Sequence, residues 1–342
     1  MRPLPKPQIL IGTAILAALI VLPFVAAPFW TANILGRAFA YGTVALSLTF
    51  LATYGGFISL AQTMVAGIAG YTAAMLAPGV IPSGGVTLPY AAVIPLALIA
   101  ATLAGLLVGA IAVRTRDIYM LMITLALAVG FSLFAQSNID WFNGYEGIRN
   151  VVGPEVFGLP FRSLYVLYFV NLAVAVALFL GVLYLVRSPF GLVLQGIRDN
   201  ARRVTALGFN VALHRIAAFG VAGFIAGCGG LLTTFYNFGI SPGSVGMAAT
   251  VNILVMAVIG GLGHPVGAFI GALIFVLMDT FAANIYDRER FNTLIGFVFL
   301  LIVLLSPDGV LGIGKRLRDL AGRGQTRKGR TPEETPDDQP AA

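Results

Sequence analysis

Long apolar runs separated by short polar intervals make up most of the 342 residues of this chain. Most of the runs reach the roughly 20 residues that an α-helix needs to cross the hydrocarbon core of a bilayer. Proline, glycine and charged residues mark the intervals between them. The pattern therefore predicts an all-α polytopic membrane protein. The predicted single spans are residues 8–30, 33–54, 57–76, 90–113, 118–136, 164–186, 216–236 and 291–305.

One further apolar run, residues 248–279, is interrupted by the sequence GGLGHP. Gly260, Gly261 and Gly263 predict a turn there, so that the run forms two short limbs, either two passes or a re-entrant pair. Cytoplasmic loops are enriched in lysine and arginine. The basic clusters of this chain fall on one side of the membrane only if the run forms such a pair of limbs and does not cross once. The sequence thus predicts about ten spans with both termini in the cytoplasm.

Composition agrees with a membrane protein. Hydrophobic residues make up 58% of the chain and charged residues 10%, which leaves too few polar side chains to cover a soluble domain. The formal net charge of +7 indicates orientation in the membrane, so lipid is an expected partner and nucleic acid is not. The single cysteine, Cys228, is expected to be a buried and unreactive thiol.

Residues 187–215 form a long polar interval that carries five arginines. Asn200 interrupts its apolar stripe, which predicts two short helices with Asp199 or Asn200 capping the second and Gly208 ending it. On a helical wheel the apolar face holds Val193, Ile197, Ala201, Val204 and Leu207, and the polar face holds Gln195, Arg198, Asp199, Arg202 and Thr205. A folded amphipathic pair of this kind predicts a docking surface for a soluble partner. The alternative is a basic loop that only sets orientation.

The sequence contains no set of residues that predicts catalysis. The stretch GVLGIGK at 309–315 begins like a phosphate-binding loop, but Arg316 stands where a serine or threonine should bind magnesium. His214 and His264 have no cysteine or carboxylate at ligand spacing, and His264 is expected to make a structural hydrogen bond. We therefore expect no enzyme, no metal site and no cofactor.

Polar side chains within predicted spans are the candidates for a transport pathway. Gln62 and Asn252 are the two that we predict to reach it, with helix packing as the alternative for each. Asp279 lies near the end of its limb and is predicted to anchor that end at the interface. No series of acidic residues crosses the bilayer, which argues against a pump driven by protons or sodium.

Four stretches resemble the membrane-spanning permease subunits of branched-chain amino-acid ABC importers. The first and last resemble the glycine-rich signatures of that family, the second its extracytoplasmic turn, and the third its cytoplasmic coupling segment. The stretches are GGFISLAQTMVAGIAGYTAAML (55–76), NGYEGI (143–148), GLVLQGIRDNARRVTALGFNV (191–211) and GGLGHPVGAFIGA (260–272). The resemblance implies that residues 187–215 are the coupling segment and meet an ATPase. The predicted coupling residues are Gly191, Gln195, Arg198, Asp199, Asn200, Arg202 and Gly208.

The resemblance also implies the rest of an importer. A permease domain over residues 1–314 would work with ABC ATPase subunits, a second related permease and an extracytoplasmic substrate-binding protein in the inner membrane. Residues 315–342 are rich in proline, glycine, threonine and charge, and are predicted to be a disordered cytoplasmic tail. The expected cargo is a branched-chain or similar small amino acid. Open alternatives are urea, short amides or monosaccharides as cargo, a secondary transporter or channel without an ATPase, and a structural or receptor subunit.

Overall fold

The computed structural model describes residues 6–78, 87–115, 118–155, 161, 163–285, 296–297, 300 and 309–312. Its α-helices are α1 Lys6–Val25, α2 Arg37–Phe50, α3 Gln62–Leu76, α4 Tyr90–Ala112, α5 Ile118–Ser137, α6 Ile139–Phe142, α7 Leu164–Arg187, α8 Pro189–Ala206, α9 Val211–Tyr236, α10 Met247–Gly260 and α11 Pro265–Ile285. Two π-helical segments, Phe29–Gly36 and Leu51–Gly55, lie directly before and after α2. Two short strands, β1 Ile148–Arg149 and β2 Gly239–Ile240, pair antiparallel and join two loops at one end of the bundle.

Six helical stretches in the described part of the chain are long and apolar enough to cross a membrane. They are Phe29–Gly55, Tyr90–Ala112, Ile118–Ser137, Tyr165–Arg187, Val211–Tyr236 and Pro242–Gly260. The prediction of an all-α polytopic membrane protein is therefore confirmed. On α4, Ile99, Leu103 and Leu107 repeat every four residues and are all exposed, which gives this helix an apolar outer face of the kind that lipid covers.

The predicted number of about ten spans is not confirmed. Two shorter apolar helices, Gly12–Val25 and Pro265–Phe281, fall below the length of the six spans. The predicted span 291–305 lies largely outside the described residues, and so does the predicted tail 315–342.

The first predicted helix, 8–30, ends earlier than its apolar run, because α1 stops at Val25. Pro28 follows closely, and a proline lacks an N–H and disfavours helical geometry at the residue before it. The chain then re-enters a helix at Phe29 with π-helical hydrogen bonding and continues into α2. The predicted second span, 33–54, therefore begins four residues too late.

The predicted third helix, 57–76, begins too early, since α3 starts at Gln62. Gly56 has a left-handed backbone, with φ of 73°, and turns the chain away from the preceding helix. The segment 57–61 then runs through the bundle without helical hydrogen bonding. Its Leu60 N–H donates to Thr124 Oγ1 of α5 at 3.1 Å. Non-helical backbone is tolerated at membrane depth where the protein satisfies it in this way.

Helix α2 lies in the centre of the bundle, where it packs against α7, α9, α10 and α11. Nearly all of its residues are buried. A Cβ atom on Gly42 would lie only 2.7 Å from the Phe269 ring of α11. The missing side chain therefore lets α2 and α11 approach closely, as small residues do between membrane helices.

The interruption inside residues 248–279 is a turn between α10, which ends at Gly260, and α11, which begins at Pro265. Gly261 has φ of +106°, a conformation that glycine adopts without steric cost. His264 stands in the turn, and its Nδ1 accepts a hydrogen bond from the Val266 N–H at 3.3 Å.

The helix that follows the coupling segment also differs from its prediction, because α9 begins at Val211 and not at residue 216.

Candidate functional site

A cavity of about 270 Å³ lies at the end of the bundle where α2 begins and α9 ends. This volume is close to the lower limit for pockets that bind small molecules. Its walls come from α2, α3, α9, α10, α11 and the segment after β2. The apolar lining includes Val44, Ile253, Met256 and Phe275, and the polar lining includes Thr63, Thr233, Asn237, Ser244 and Asn252.

An ion pair also lines this cavity. Arg37 of α2 donates from Nη1 to Oδ2 of Asp279 on α11 over 2.6 Å. The guanidinium lies over the Tyr41 ring, 5.4 Å from its centroid, where a cation is attracted by the aromatic face. The sequence had suggested an interfacial anchor for Asp279 and did not single out Arg37. The sequence did contain a sign of this ion pair, because Arg37 stands eight residues into an apolar span and ionised residues in spans are rare and usually paired.

The structure separates the two residues predicted to reach a transport pathway. Asn252 lines the cavity from α10, and its side chain makes no hydrogen bond within the described part of the chain. Gln62 does not line the cavity and is 2% exposed. Its Oε1 lies 3.2 Å from the hydroxyl of Ser47 on α2. The next residue, Thr63, does line the cavity.

The predicted coupling segment lies at the opposite end of α2. Helix α8 starts with Ser188 as its N-cap and Pro189 in its first turn. It breaks at Asn200, where φ is −160° and ψ is 94°, and Asn200 Oδ1 accepts a hydrogen bond from the Arg203 N–H at 3.1 Å. Asn200 is thus the N-cap of a second short helix, one of the two residues that the sequence suggested. That helix ends at Ala206, and Gly208, whose φ is +88°, turns the chain two residues later.

The apolar side of α8 packs against the bundle through Leu194, Ile197 and Val204, which are 0 to 7% exposed. The helical wheel was wrong about Leu207, which is 75% exposed, because the break at Asn200 changes the phase of the second helix. Gly191 allows a close approach to α7, since a Cβ there would lie 2.4 Å from the carbonyl oxygen of Leu185.

Two residues of the predicted polar face donate hydrogen bonds to the bundle. Gln195 donates from Nε2 to the carbonyl oxygens of Val186 and Gly191, both at 3.1 Å. Arg198 donates from Nη1 to the carbonyl oxygen of Thr53 at 2.6 Å and from Nε to Asp199 at 2.9 Å. Gln195 is thus partly buried against α7, whereas Arg198 stays exposed, as the sequence predicts, and also binds the chain near the end of α2. The exposed coupling residues are Arg198, Asp199, Asn200, Arg202 and Gly208.

Thr53, which binds Arg198 through its carbonyl oxygen, also contacts the glycine turn. Its hydroxyl donates to the carbonyl oxygen of Leu262, which lies between α10 and α11. Gly309 packs on the same turn, and a Cβ there would lie 2.5 Å from Gly261. A row of contacts therefore runs from Arg198 through Thr53 to the turn, and α8 is linked to the two helices that line the far cavity.

The sequence model of the family described as "Branched-chain amino acid transport system / permease component" matches residues 30–304. This range contains the cavity, the glycine turn and the whole of α8. The chain belongs to this family.

Individual relatives are 23 to 26% identical to the chain over the aligned residues. The branched-chain amino acid transport system permease protein LivM of Escherichia coli strain K12 is 24% identical over 340 residues, which covers 91% of this chain and 78% of that protein. LivH of the same strain is 26% identical over 289 residues, covering 80% and 91%. The ribose import permease protein RbsC of Haemophilus influenzae is 23% identical over 295 residues, covering 83% and 86%. No solved structure matches the chain.

Proposed function

We propose that this chain is the permease subunit of an ABC importer that carries branched-chain or similar small amino acids across the inner membrane. The family and the names of LivM and LivH support this cargo. The observation that carries the proposal is structural. A cavity with polar and apolar walls at one end of α2 is joined through buried helices to an exposed amphipathic helix at the other end.

The end of the bundle that holds α8 faces the cytoplasm. Four arginines lie between Arg187 and Arg203, and a concentration of positive charge marks the cytoplasmic side. The cavity then opens to the outside, and both termini lie in the cytoplasm. A reporter that is active only in the cytoplasm should give signal when fused after Arg330 and none when fused after Asn150. The opposite pattern in a stably expressed protein would contradict this orientation.

Helix α8 is the surface on which ABC ATPase subunits dock. Its exposed positions Asp199, Asn200 and Arg202 offer charges of both signs and an amide to a partner. A second related permease subunit completes the pathway, and an extracytoplasmic binding protein delivers cargo at the cavity end. ATP hydrolysis on the separate subunits moves α8, and the contact through Thr53 carries this movement to α10 and α11.

A monosaccharide is the second candidate cargo, because a ribose permease is among the relatives. The two candidates differ in charge, since an amino acid is a zwitterion and ribose is neutral. The test is uptake by vesicles that contain the chain with its ATPase, partner permease and binding protein. We expect ATP-dependent uptake of radiolabelled L-leucine that an excess of D-ribose does not reduce. Uptake of ribose and not of leucine would overturn the proposed cargo.

Uptake of either solute without the ATPase subunits would instead favour a secondary transporter. Binding of solute with no transport under any condition would favour a receptor subunit.

A further inference from the structure

The ion pair between Arg37 and Asp279 lies in the wall of the cavity, and both side chains retain access to it. Their side chains are 29% and 28% exposed, so neither charge is sealed inside the bundle. The pair joins α2, which belongs to one of the six candidate spans, to α11, which contains one of the two shorter apolar helices. Ionised groups in such a location are costly and need a partner of opposite charge.

The surroundings of the pair match the parts of a small aliphatic amino acid. An arginine fork binds a carboxylate through two parallel hydrogen bonds, and an aspartate accepts hydrogen bonds from an ammonium group. The apolar wall of Val44, Ile253 and Phe275 lies in the same cavity, and the Asn252 amide is free of hydrogen bonds within the described chain.

We propose that Arg37 and Asp279 bind the two charges of a zwitterionic cargo as it passes through the cavity, with Arg37 holding the α-carboxylate and Asp279 the α-ammonium. This inference rests on the proposed function, because it assumes an amino acid as cargo. Gln62 and Asn252, the two residues predicted to reach the pathway, are uncharged and do not bind the charges of the cargo in this way. The Tyr41 ring lies beside the guanidinium, and both residues line the cavity.

The exchange of partners explains how charged residues in the cavity favour one class of cargo. Without cargo, the two side chains neutralise each other. A zwitterion replaces that single ion pair by two, so both charges stay paired while α2 and α11 separate. A neutral sugar or urea offers no charge to either residue, so a passage that separates the pair would leave both charges without partners, and an unpaired charge in such a place is strongly unfavourable. The pair therefore selects zwitterions.

A purely structural ion pair is the competing explanation, and a paired neutral substitution separates the two. The variant R37Q/D279N removes both charges together, so that no unpaired charge is left in the cavity wall, and its two amides can hydrogen-bond to each other. A structural role thus predicts normal transport. The binding role predicts at least about a tenfold fall in ATP-dependent uptake of L-leucine, because two charge-assisted hydrogen bonds to the cargo are lost.

The experiment uses the complete importer in proteoliposomes, with the same binding protein in every sample, and measures leucine uptake and ATP hydrolysis together. Hydrolysis in the absence of leucine is measured for every variant, and uptake is compared at equal amounts of assembled, ATP-hydrolysing complex. Tyr236→Phe is the matched control, because it removes the hydrogen bond from Tyr236 Oη to the Asn33 carbonyl oxygen near the same end of α2 without a change of charge. It should transport leucine normally.

Wild-type leucine uptake by R37Q/D279N would overturn the inference and leave the proposed function intact. If that variant assembles poorly, the charge-reversed variant R37D/D279R decides. It restores the ion pair, but each charge now stands where the other one was. The apolar wall still positions the side chain of a chiral cargo, so its two charged groups then face like charges. Normal leucine uptake by R37D/D279R would overturn the inference, and its loss in an assembled complex would support it. A wild-type importer that carries D-ribose and no L-leucine would overturn both proposals.

Discussion

Arg198 and Arg202 are four residues apart in α8, yet the structure gives them different surroundings. Both are exposed, but Arg198 donates to Thr53 at the end of α2, whereas Arg202 has no hydrogen bond or ion pair within the described residues. The helix breaks at Asn200, between the two arginines, so their side chains do not share one helical face. Arg198 therefore has a contact inside the chain that can position α8, and Arg202 is available to a partner.

Substitution of each arginine by alanine should separate positioning from docking. Arg198→Ala should lower the unfolding free energy by on the order of 1 kcal/mol, since a hydrogen bond from a charged donor contributes about 1.5–3 kcal/mol and partial exposure of this side chain reduces that value. Thermal unfolding of the purified permease measures this. Arg202→Ala should leave thermal unfolding unchanged and weaken co-purification of the ATPase. Equal stability of Arg198→Ala and the wild type would contradict the positioning role.

Asn252 and Gln62 offer a second comparison at single residues. Asn252→Leu should reduce leucine uptake with little change in stability, because the Asn252 side chain faces the cavity without a hydrogen bond in the described chain. Gln62→Leu should destabilise the protein by about 1–3 kcal/mol, because the buried Ser47 hydroxyl loses Gln62 Oε1 as a hydrogen-bond acceptor. We also propose that the pathway passes Gln62 when it opens toward α8. Unchanged uptake by both variants, at matched protein levels, would leave both residues in a packing role.

Helices whose apolar runs end in polar or glycine-rich segments could be predicted from the sequence. The break of α8 at Asn200 and the turn at Gly260 to Pro265 follow from local chemistry, because an asparagine caps a helix and a glycine allows unusual backbone angles. The start of α3 could not be predicted, because it depends on a hydrogen bond from Leu60 to Thr124, which is 64 residues away.

The candidate site was harder to predict than the helices. Asn252 could be singled out because a polar residue in an apolar run is conspicuous by itself. The pairing of Arg37 with Asp279 depends on how α2 and α11 pack, and no local pattern specifies that. The direction of Arg198 has the same origin, since its partner is a carbonyl oxygen on another helix.

The contact between α10 and α11 depends on glycines with no space for a side chain. A Cβ on Gly271 would lie 1.8 Å from the Met256 carbonyl oxygen, whereas a Cβ on Gly263 would have nothing within 4 Å. Gly271→Ala should therefore destabilise the permease by about 1–3 kcal/mol or more and reduce the yield of folded protein. Gly263→Ala is the matched control and should behave like the wild type. Similar thermal unfolding of the two variants would contradict the close packing described above.

Helices α2 and α11 connect the two functional ends of the molecule. They are held together at the cavity by Arg37 and Asp279, and at the other end by the hydrogen bond from Thr53 to Leu262. Arg37 and Thr53 are 16 residues apart, which is about 24 Å along a helix and most of the thickness of a bilayer core. A displacement of α8 can thus reach the cavity through a short series of packed elements.

Removal of the Thr53 hydroxyl should weaken this connection without disturbing either end. Thr53→Val loses the hydrogen bond to Leu262 but keeps the carbonyl oxygen that binds Arg198. The expected result is about a fivefold lower leucine uptake for each ATP hydrolysed, which corresponds to one hydrogen bond of about 1 kcal/mol. Thr53→Ser retains the hydroxyl and should behave like the wild type. If Thr53→Val and Thr53→Ser couple transport equally well, the connection through Leu262 has no role.

The ratio of leucine imported to ATP hydrolysed in proteoliposomes tests the central claim most directly. The vesicles would contain the chain, its partner permease and the ATPase, with the binding protein added outside. We expect leucine to accumulate only when hydrolysable ATP is present, at a fixed ratio, and accumulation to stop when a non-hydrolysable analogue replaces ATP. Equal accumulation of leucine in vesicles that lack the ATPase subunits would contradict the claim that α8 couples the cavity to ATP hydrolysis.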